Sequence, residues 1–254
     1  MYGGMRPRMS RKGTRKVKTG FWQPAPLRTL ARQADQVELK LVVPAHDGRS
    51  LGLDRGTGPA RRVYFLDTPD LDLYRHGVIL RFRDRAGSRD DAVVKLRPVV
   101  PGRVPRWLRQ ADRFQMEIDA LPGQAVCSGA LKERLGRGEV AKAIAGGRPL
   151  IKLLSPGQRK LLGQYAPGVA VGDLVVFGPI DVRCQSVKLR GLDHGVRAER
   201  WHYPDGSFLL ELSARCPVNQ AAAVARRVST ALRAYGVTPA DEQCLKTDMA
   251  LQAA

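Results

Sequence analysis

The sequence predicts an α+β fold built on an antiparallel sheet, with its helices in the middle and at the end of the chain. Three observations lead there. Stretches such as Gln36–Val43 and Val78–Asp84 alternate apolar and polar residues with period two, as strands with one buried face do. Between about Ser128 and Tyr165 the apolar spacing becomes helical. From Asn219 to Tyr235 an apolar stripe of helical period (Ala221, Val224, Ala225, Val228, Leu232, Tyr235) runs to a C-capping Gly236.

Taken in order, Val37, Leu39, Leu41 and Val43 alternate with Gln36, Glu38, Lys40 and Val42 in the first strand. A second strand, Val63 to Leu66, leads through an Asp/Pro-rich connection with one helical turn to Val78–Asp84. There Val78, Leu80 and Phe82 share one face, and Ile79, Arg81, Arg83 and Arg85 the other. Ala92 to Arg97 opposes Val94 and Leu96 to Val93, Lys95 and Arg97, and Pro98 closes it. Arg113 to Asp119 places Phe114, Met116 and Ile118 against Gln115, Glu117 and Asp119. The helical spacing of Leu131, Leu135, Val140 and Ile144 then predicts an insertion at about 128–165, whose second helix opens on a Ser155 cap and Pro156. Strands resume at Leu174–Phe177, Ile180–Arg190, Val196–Tyr203 and Phe208–Ser213, with Pro204-Asp205-Gly206 as the last turn. The alternation slips between Arg183 and Lys188, which predicts a bulge.

Composition narrows the function. The 254 residues carry 43 Lys+Arg against 24 Asp+Glu, a formal charge of +19 that attracts polyanions: nucleic acid, phosphorylated metabolites or polyphosphate. Residues 1–20 hold seven of the cations, no carboxylate and no apolar periodicity, the pattern of a disordered basic tail. No apolar run approaches the roughly 18 residues of a membrane span, and no secretory leader pattern opens the chain, so a cytoplasmic location is expected. Cys127, Cys184, Cys216 and Cys244 show no CxxC spacing and the four histidines no HExxH, which argues against disulfide staples and a zinc site. A nucleic-acid role is disfavoured, because aromatics are 6% of the chain and the strand cations are interleaved with carboxylates. His76, His194 and His202 read as turn or surface residues, and Trp107, Trp201 and Phe82 as packing groups.

The polar strand faces admit two arrangements. They could point to open water, or a closed sheet could gather them in a lumen where many cations and a few carboxylates bind a phosphate chain and its metal ion. The residues alone leave both open.

The motifs add a resemblance. Gln36-Val37-Glu38-Leu39-Lys40 resembles the ExExK strand of the CYTH, or triphosphate tunnel metalloenzyme, superfamily, which includes class IV adenylate cyclases, thiamine triphosphatases and inorganic triphosphatases. YFLDTPDLDLYRHGVILRFR resembles its next signature, a DTPD-like connection and an RxR strand, here Arg81 and Arg83. Lys95, Glu117, Glu199, Glu211 and Lys246 fall where the family's later lysine and carboxylate positions would be, with Arg183 or Lys188 at its mid-chain basic position. Two positions depart from the pattern: Gln36 and Ser213 stand where active members usually carry a carboxylate.

The resemblance implies a closed antiparallel β-barrel with helices packed outside, in one domain over 21–254. It implies Mg²⁺- or Mn²⁺-dependent hydrolysis of a triphosphate-bearing substrate (inorganic, nucleoside or thiamine triphosphate). The phosphates would be clamped by Arg81, Arg83, Lys95, Arg97, Arg183, Lys188, Arg190 and Lys246, and the metal held by Glu38, Glu117, Glu199 and Glu211. Lys40 and Glu38 would act at the scissile phosphoryl. A polyphosphate- or nucleotide-binding module without turnover and a class IV-type adenylate cyclase are the alternatives. A homodimer is compatible with this reading.

Overall fold

Nine strands hydrogen-bond into one closed ring: β1 (Gln36–Val43), β2 (Ala60–Asp67), β3 (Val78–Arg85), β4 (Asp91–Leu96), β5 (Phe114–Leu121), β6 (Gln124–Arg134), β7 (Val175–Val187), β8 (Val196–His202) and β9 (Phe208–Pro217). The order around the barrel is β1-β5-β6-β4-β3-β2-β7-β8-β9, with β9 returning to β1. Every neighbouring pair is antiparallel except β1 and β5, which run parallel, so the expected antiparallel barrel is a mixed one. This computed structural model describes residues 20–22, 34–53, 58–192 and 195–252. The expected basic tail, save Gly20, and His194 lie outside the described residues.

Side-chain alternation sorts this ring into an oily outside and a charged inside. The outward residues Val37, Leu39, Leu41 and Val43 of β1 and Leu210 and Leu212 of β9 join Val224, Ala225, Val228 and Leu232 of a helix here named α5 (Ala221–Ala234). Val78, Leu80 and Phe82 of β3, with Ala92, Val94 and Leu96 of β4, pack under α3 (Glu139–Ala145) and α4 (Pro156–Tyr165). The barrel can carry its charges inward because helices cover these outer faces. At α4, Ser155 and Gln158 form a reciprocal capping box, and the Gln158 amide also donates to the Ala92 and Leu131 carbonyls, pinning the helix across β4 and β6.

The DTPD phrase is a joint. The Asp67 carboxylate accepts from the backbone N–H groups of Thr68, Leu73 and Tyr74, closing the turn into α1 (Asp72–Arg75). The turn sets the register in which Arg81 faces Phe65 across β2 and β3.

Three expectations change. Residues 124–134 form a strand, β6, where helical spacing is read from Ser128; α3 and α4 are what remains of the insertion. Leu131 and Leu135 are four apart, a spacing that leaves both on one face of a strand as well as of a helix. The two strands expected at 174–177 and 180–190 are one, β7, and its register slips opposite Val63 and Phe65 rather than after Arg183. Lys246 opens a short helix, α6 (Lys246–Gln252). Ala250 and Leu251 of α6 pack on the inward Val42, Phe65, Ile79, Val182, Trp201 and Leu209, so that α6 plugs one end of the barrel. A further short helix, α2 (Arg106–Arg109), leads into β5.

Candidate functional site

The lumen above this plug is a cavity of about 460 Å³. Among the described residues, eleven cationic and three carboxylate side chains line it. Period-two alternation supplies them in sets: Glu38 and Lys40 from β1; Arg81, Arg83 and Arg85 from β3; Lys95 from β4; Glu117 from β5; Arg197 and Glu199 from β8.

Near the plug, Glu38, Glu117 and Asp119 bring one oxygen each within 4.8 Å of one another. Two ammonium groups lie among them. Lys40 Nζ is 3.0 Å from Glu38 and 2.5 Å from Asp119, and Lys95 Nζ is 3.0 Å from Glu117 and 2.8 Å from Asp119. The Ser128 hydroxyl also donates to Asp119. Burial works to raise the Glu38 carboxyl, but Lys40, Arg215 and Lys246 hold it down at about 2. Burial likewise opposes the charges on Asp119 and Lys40, yet their mutual attraction wins, moving Asp119 well below and Lys40 above its ordinary range. The donor set is all carboxylate oxygen, which could hold a metal ion.

A second group ties β8 and β9 to the plug. Lys246 Nζ lies 2.6 Å from both Glu199 and Glu211, and Glu199 also accepts from Arg197 Nε at 2.9 Å and Trp201 Nε1 at 3.2 Å. Despite its burial, Glu199 is held well below the usual carboxylate range by Lys246 and Arg197.

The arginines differ in their partners. Arg83 makes a bidentate pair with the buried Asp91, Nε–Oδ1 2.7 Å and Nη2–Oδ2 2.9 Å, and Arg85 and Lys132 face the same carboxylate at 3.5 and 3.9 Å. Arg81 has no carboxylate within 4.0 Å among the described residues, and its Nε is buried without a partner. Burial, then Arg83, lowers its guanidinium to about 10.

No family model and no curated protein matches the sequence. Solved structures do. One from Bacillus halodurans, described as a candidate adenylate cyclase, matches with a TM-score of 0.57 at 13% identity over 85% of this chain and 97% of that one. An adenylyl cyclase candidate from Hippeastrum, described as having a dominant triphosphatase activity, matches with a TM-score of 0.59 at 15% identity over 85% and 95%. The chain has a CYTH-like tunnel fold.

Within the tunnel, Glu38, Lys40, Arg81, Arg83, Lys95, Glu117 and Glu199 line the main cavity from their strands and Lys246 from α6. Glu211 lies buried behind Lys246, and Arg97 lies below Lys95 at the plug. The four carboxylates named as metal ligands divide: Glu38 and Glu117 join Asp119, whereas Glu199 and Glu211 surround Lys246. The structure does not bring Arg183, Lys188 or Arg190 to the cavity. Ile180, Val182 and Cys184 form the buried inward face of β7, Arg183 takes the opposite, exposed face, and Lys188 and Arg190 follow the end of the strand and are exposed. Six lining cations are not among the site residues expected from the sequence: Arg61, Arg85, Arg113, Lys132, Arg197 and Arg215. Parity was the available signal, since Arg197 is two residues from Glu199 and Arg215 four from Glu211. Trp201, read as packing, also gives its indole N–H to Glu199 and stacks under Lys246, 5.3 Å from the ring centre.

Proposed function

We propose that the tunnel binds the phosphate chain of a triphosphate-bearing substrate and hydrolyses it with Mg²⁺ or Mn²⁺. The observation that carries this reading is the lining itself: eleven cations against three carboxylates in a pocket blind at one end. Such an excess of enclosed positive charge favours a compact polyanion. Arg81, with no carboxylate within 4.0 Å among the described residues, and Arg83, aimed by Asp91, offer guanidinium forks to phosphate oxygens, while Lys95, Lys132 and Lys246 add point charges. Glu38, Glu117 and Asp119 would hold the divalent ion, which supplies water activation and charge neutralisation when bound. Lys40, in contact with Glu38 and Asp119, would fix their orientation and act at the scissile phosphoryl. Glu38, held at about 2, stays ionised and is a weak proton acceptor, so its part is to orient water by accepting a hydrogen bond.

A binding module without turnover is the second reading. It is favoured by Gln36, whose amide donates to Glu117 at 3.3 Å where a further carboxylate would add a metal ligand. Phosphate release from tripolyphosphate, ATP and thiamine triphosphate, with Mg²⁺, with Mn²⁺ and with EDTA, separates the two. Metal-dependent release supports hydrolysis. Tripolyphosphate that raises the melting temperature without being cleaved supports binding alone, and neither effect would end both readings.

A further inference from the structure

Beneath the main cavity, on the plug side of Lys40, Arg81, Lys95 and Lys246, lies a separate cavity of about 30 Å³ that also reaches Arg97 and Thr247. Two of its side chains have buried donors with no partner: Nε of Arg81 and Nη2 of Arg97. The Arg97 side chain is 8% exposed, and its ion pair is a loose 3.7 Å approach of Nη1 to Asp119. Lys40, Lys95 and Lys246 spend their charge on carboxylates. Arg97 also faces Asp119, but among the described residues Nε of Arg81 and Nη2 of Arg97 meet no acceptor.

No carboxylate is among the described residues that line this cavity; its polar side chains are five cations and the Thr247 hydroxyl. A guest must therefore accept hydrogen bonds from nearly every wall and donate almost none. Water carries two hydrogens that such walls leave idle, whereas a monatomic anion is a pure acceptor. The volume leaves room for about two water-sized spheres, so it takes a single-atom anion and excludes a tetrahedral phosphoryl group. Leaving two guanidinium donors buried and unmet is unfavourable, and an anion there would satisfy both.

We propose that the blind end of the tunnel is a binding site for one small monovalent anion of the halide class, held by Arg81 and Arg97 beneath the cavity assigned to triphosphate. The site exists whether or not the chain hydrolyses triphosphates. The occupied pocket relieves repulsion among cations that the fold has brought together, and the anion belongs to the resting protein.

The test uses the full chain in halide-free buffer, with bromide replacing gluconate at constant ionic strength. Melting temperature is expected to climb with the logarithm of bromide concentration, and crystals grown with bromide are expected to show one anomalous peak between Arg81 and Arg97. Equal melting curves in the two salts, or no peak there, would overturn the proposal and leave the pocket to water. In Arg97→Gln the bromide-specific shift should disappear; a shift that survives places the halide elsewhere and also overturns it. If that variant does not fold, the anomalous map of the parent decides. Saturating tripolyphosphate should leave the peak in place, while its loss would give the space between Arg81 and Arg97 to the triphosphate and sink the separate site.

Discussion

Lys246 Nζ stands 2.6 Å from Glu211 Oε1, fastening the plug helix α6 to strand β9 inside the barrel. The same ammonium meets Glu199 at 2.6 Å, so one cation bridges two buried carboxylates, of which Glu199 also has Arg197. Lys246→Ala should lower stability by about 3–5 kcal/mol near neutral pH, because it leaves buried charge uncompensated. The pH dependence has a definite sign. Glu199 is held down in the folded parent, so its stabilising contribution is present above the unfolded carboxyl value and is lost as pH falls through the folded one. The gap between parent and variant should therefore narrow in acid. Urea denaturation of both proteins across that range measures it, and a neutral-pH loss under about 1 kcal/mol would mean the trio is solvated.

Arg81 and Arg83 are neighbours of equal charge and should answer differently to removal. Arg83→Ala breaks a bidentate pair and leaves the buried Asp91 only the longer contacts to Arg85 and Lys132, which should reduce stability by about 2–3 kcal/mol. Arg81→Met removes an enclosed cation that has no carboxylate within 4.0 Å among the described residues, so in halide-free buffer the melting temperature should hold or rise. Its tripolyphosphate affinity should nonetheless fall by about 1.5–3 kcal/mol. Calorimetry with thermal melts tests both arms; an Arg81→Met protein that binds like the parent would remove that residue from the phosphate path.

How much of this was legible depended on parity. On β3 the alternation of Val78, Leu80 and Phe82 with Arg81 and Arg83 fixed both faces, and helices over the oily side left the charges no place but the lumen. Parity alone does not say which face is inside. On β7 the relation is reversed: Ile180, Val182 and Cys184 face inward toward the plug, and Arg183 faces solvent. The tie of Asp119 to Lys40 depends on the parallel β1–β5 pairing, and that of Glu117 and Asp119 to Lys95 on the pairings of β6 with β4 and β5, long-range registers that no local pattern encodes. Trp22 supports that seam from outside, its indole N–H donating to the carbonyls of Lys40 and Ala120.

Lys132 at the wide end of the tunnel should make anion binding pH-dependent. Burial, then Arg83, lowers its ammonium to about 8, against the attraction of Asp91. A bound polyanion favours the charged form, so affinity should be full below about 8 and fall above it as the free protein loses that proton. Lys132→Arg keeps its charge throughout and should flatten the decline. Tripolyphosphate titrations at about pH 7 and about pH 9 in both proteins cancel the ligand's own ionisation. Parallel declines would show that Lys132 does not meet the anion.

Gln36 Nε2 donates to Glu117 Oε2 at 3.3 Å, and alternation sends Gln36 to the same side of β1 as Glu38 and Lys40. Gln36→Glu therefore places a fourth carboxylate against Glu38, Glu117 and Asp119. Two opposed effects follow. In metal-free buffer the added charge repels Glu117 and should lower the melting temperature, because Lys40 and Lys95 already share the three existing carboxylates. With Mn²⁺ the same charge becomes a ligand, and affinity should rise by about tenfold or more, since carboxylate count tunes divalent-ion binding. The signature is a crossing, with the variant less stable than the parent in EDTA and more stabilised by Mn²⁺. Ser213→Glu should add less, because Ser213 pairs with Arg197 and Lys40 across its two neighbouring strands, away from Glu117. Calorimetric Mn²⁺ titration of the parent and both variants decides, and unchanged affinity in Gln36→Glu would place the cation away from the Glu38, Glu117 and Asp119 cluster.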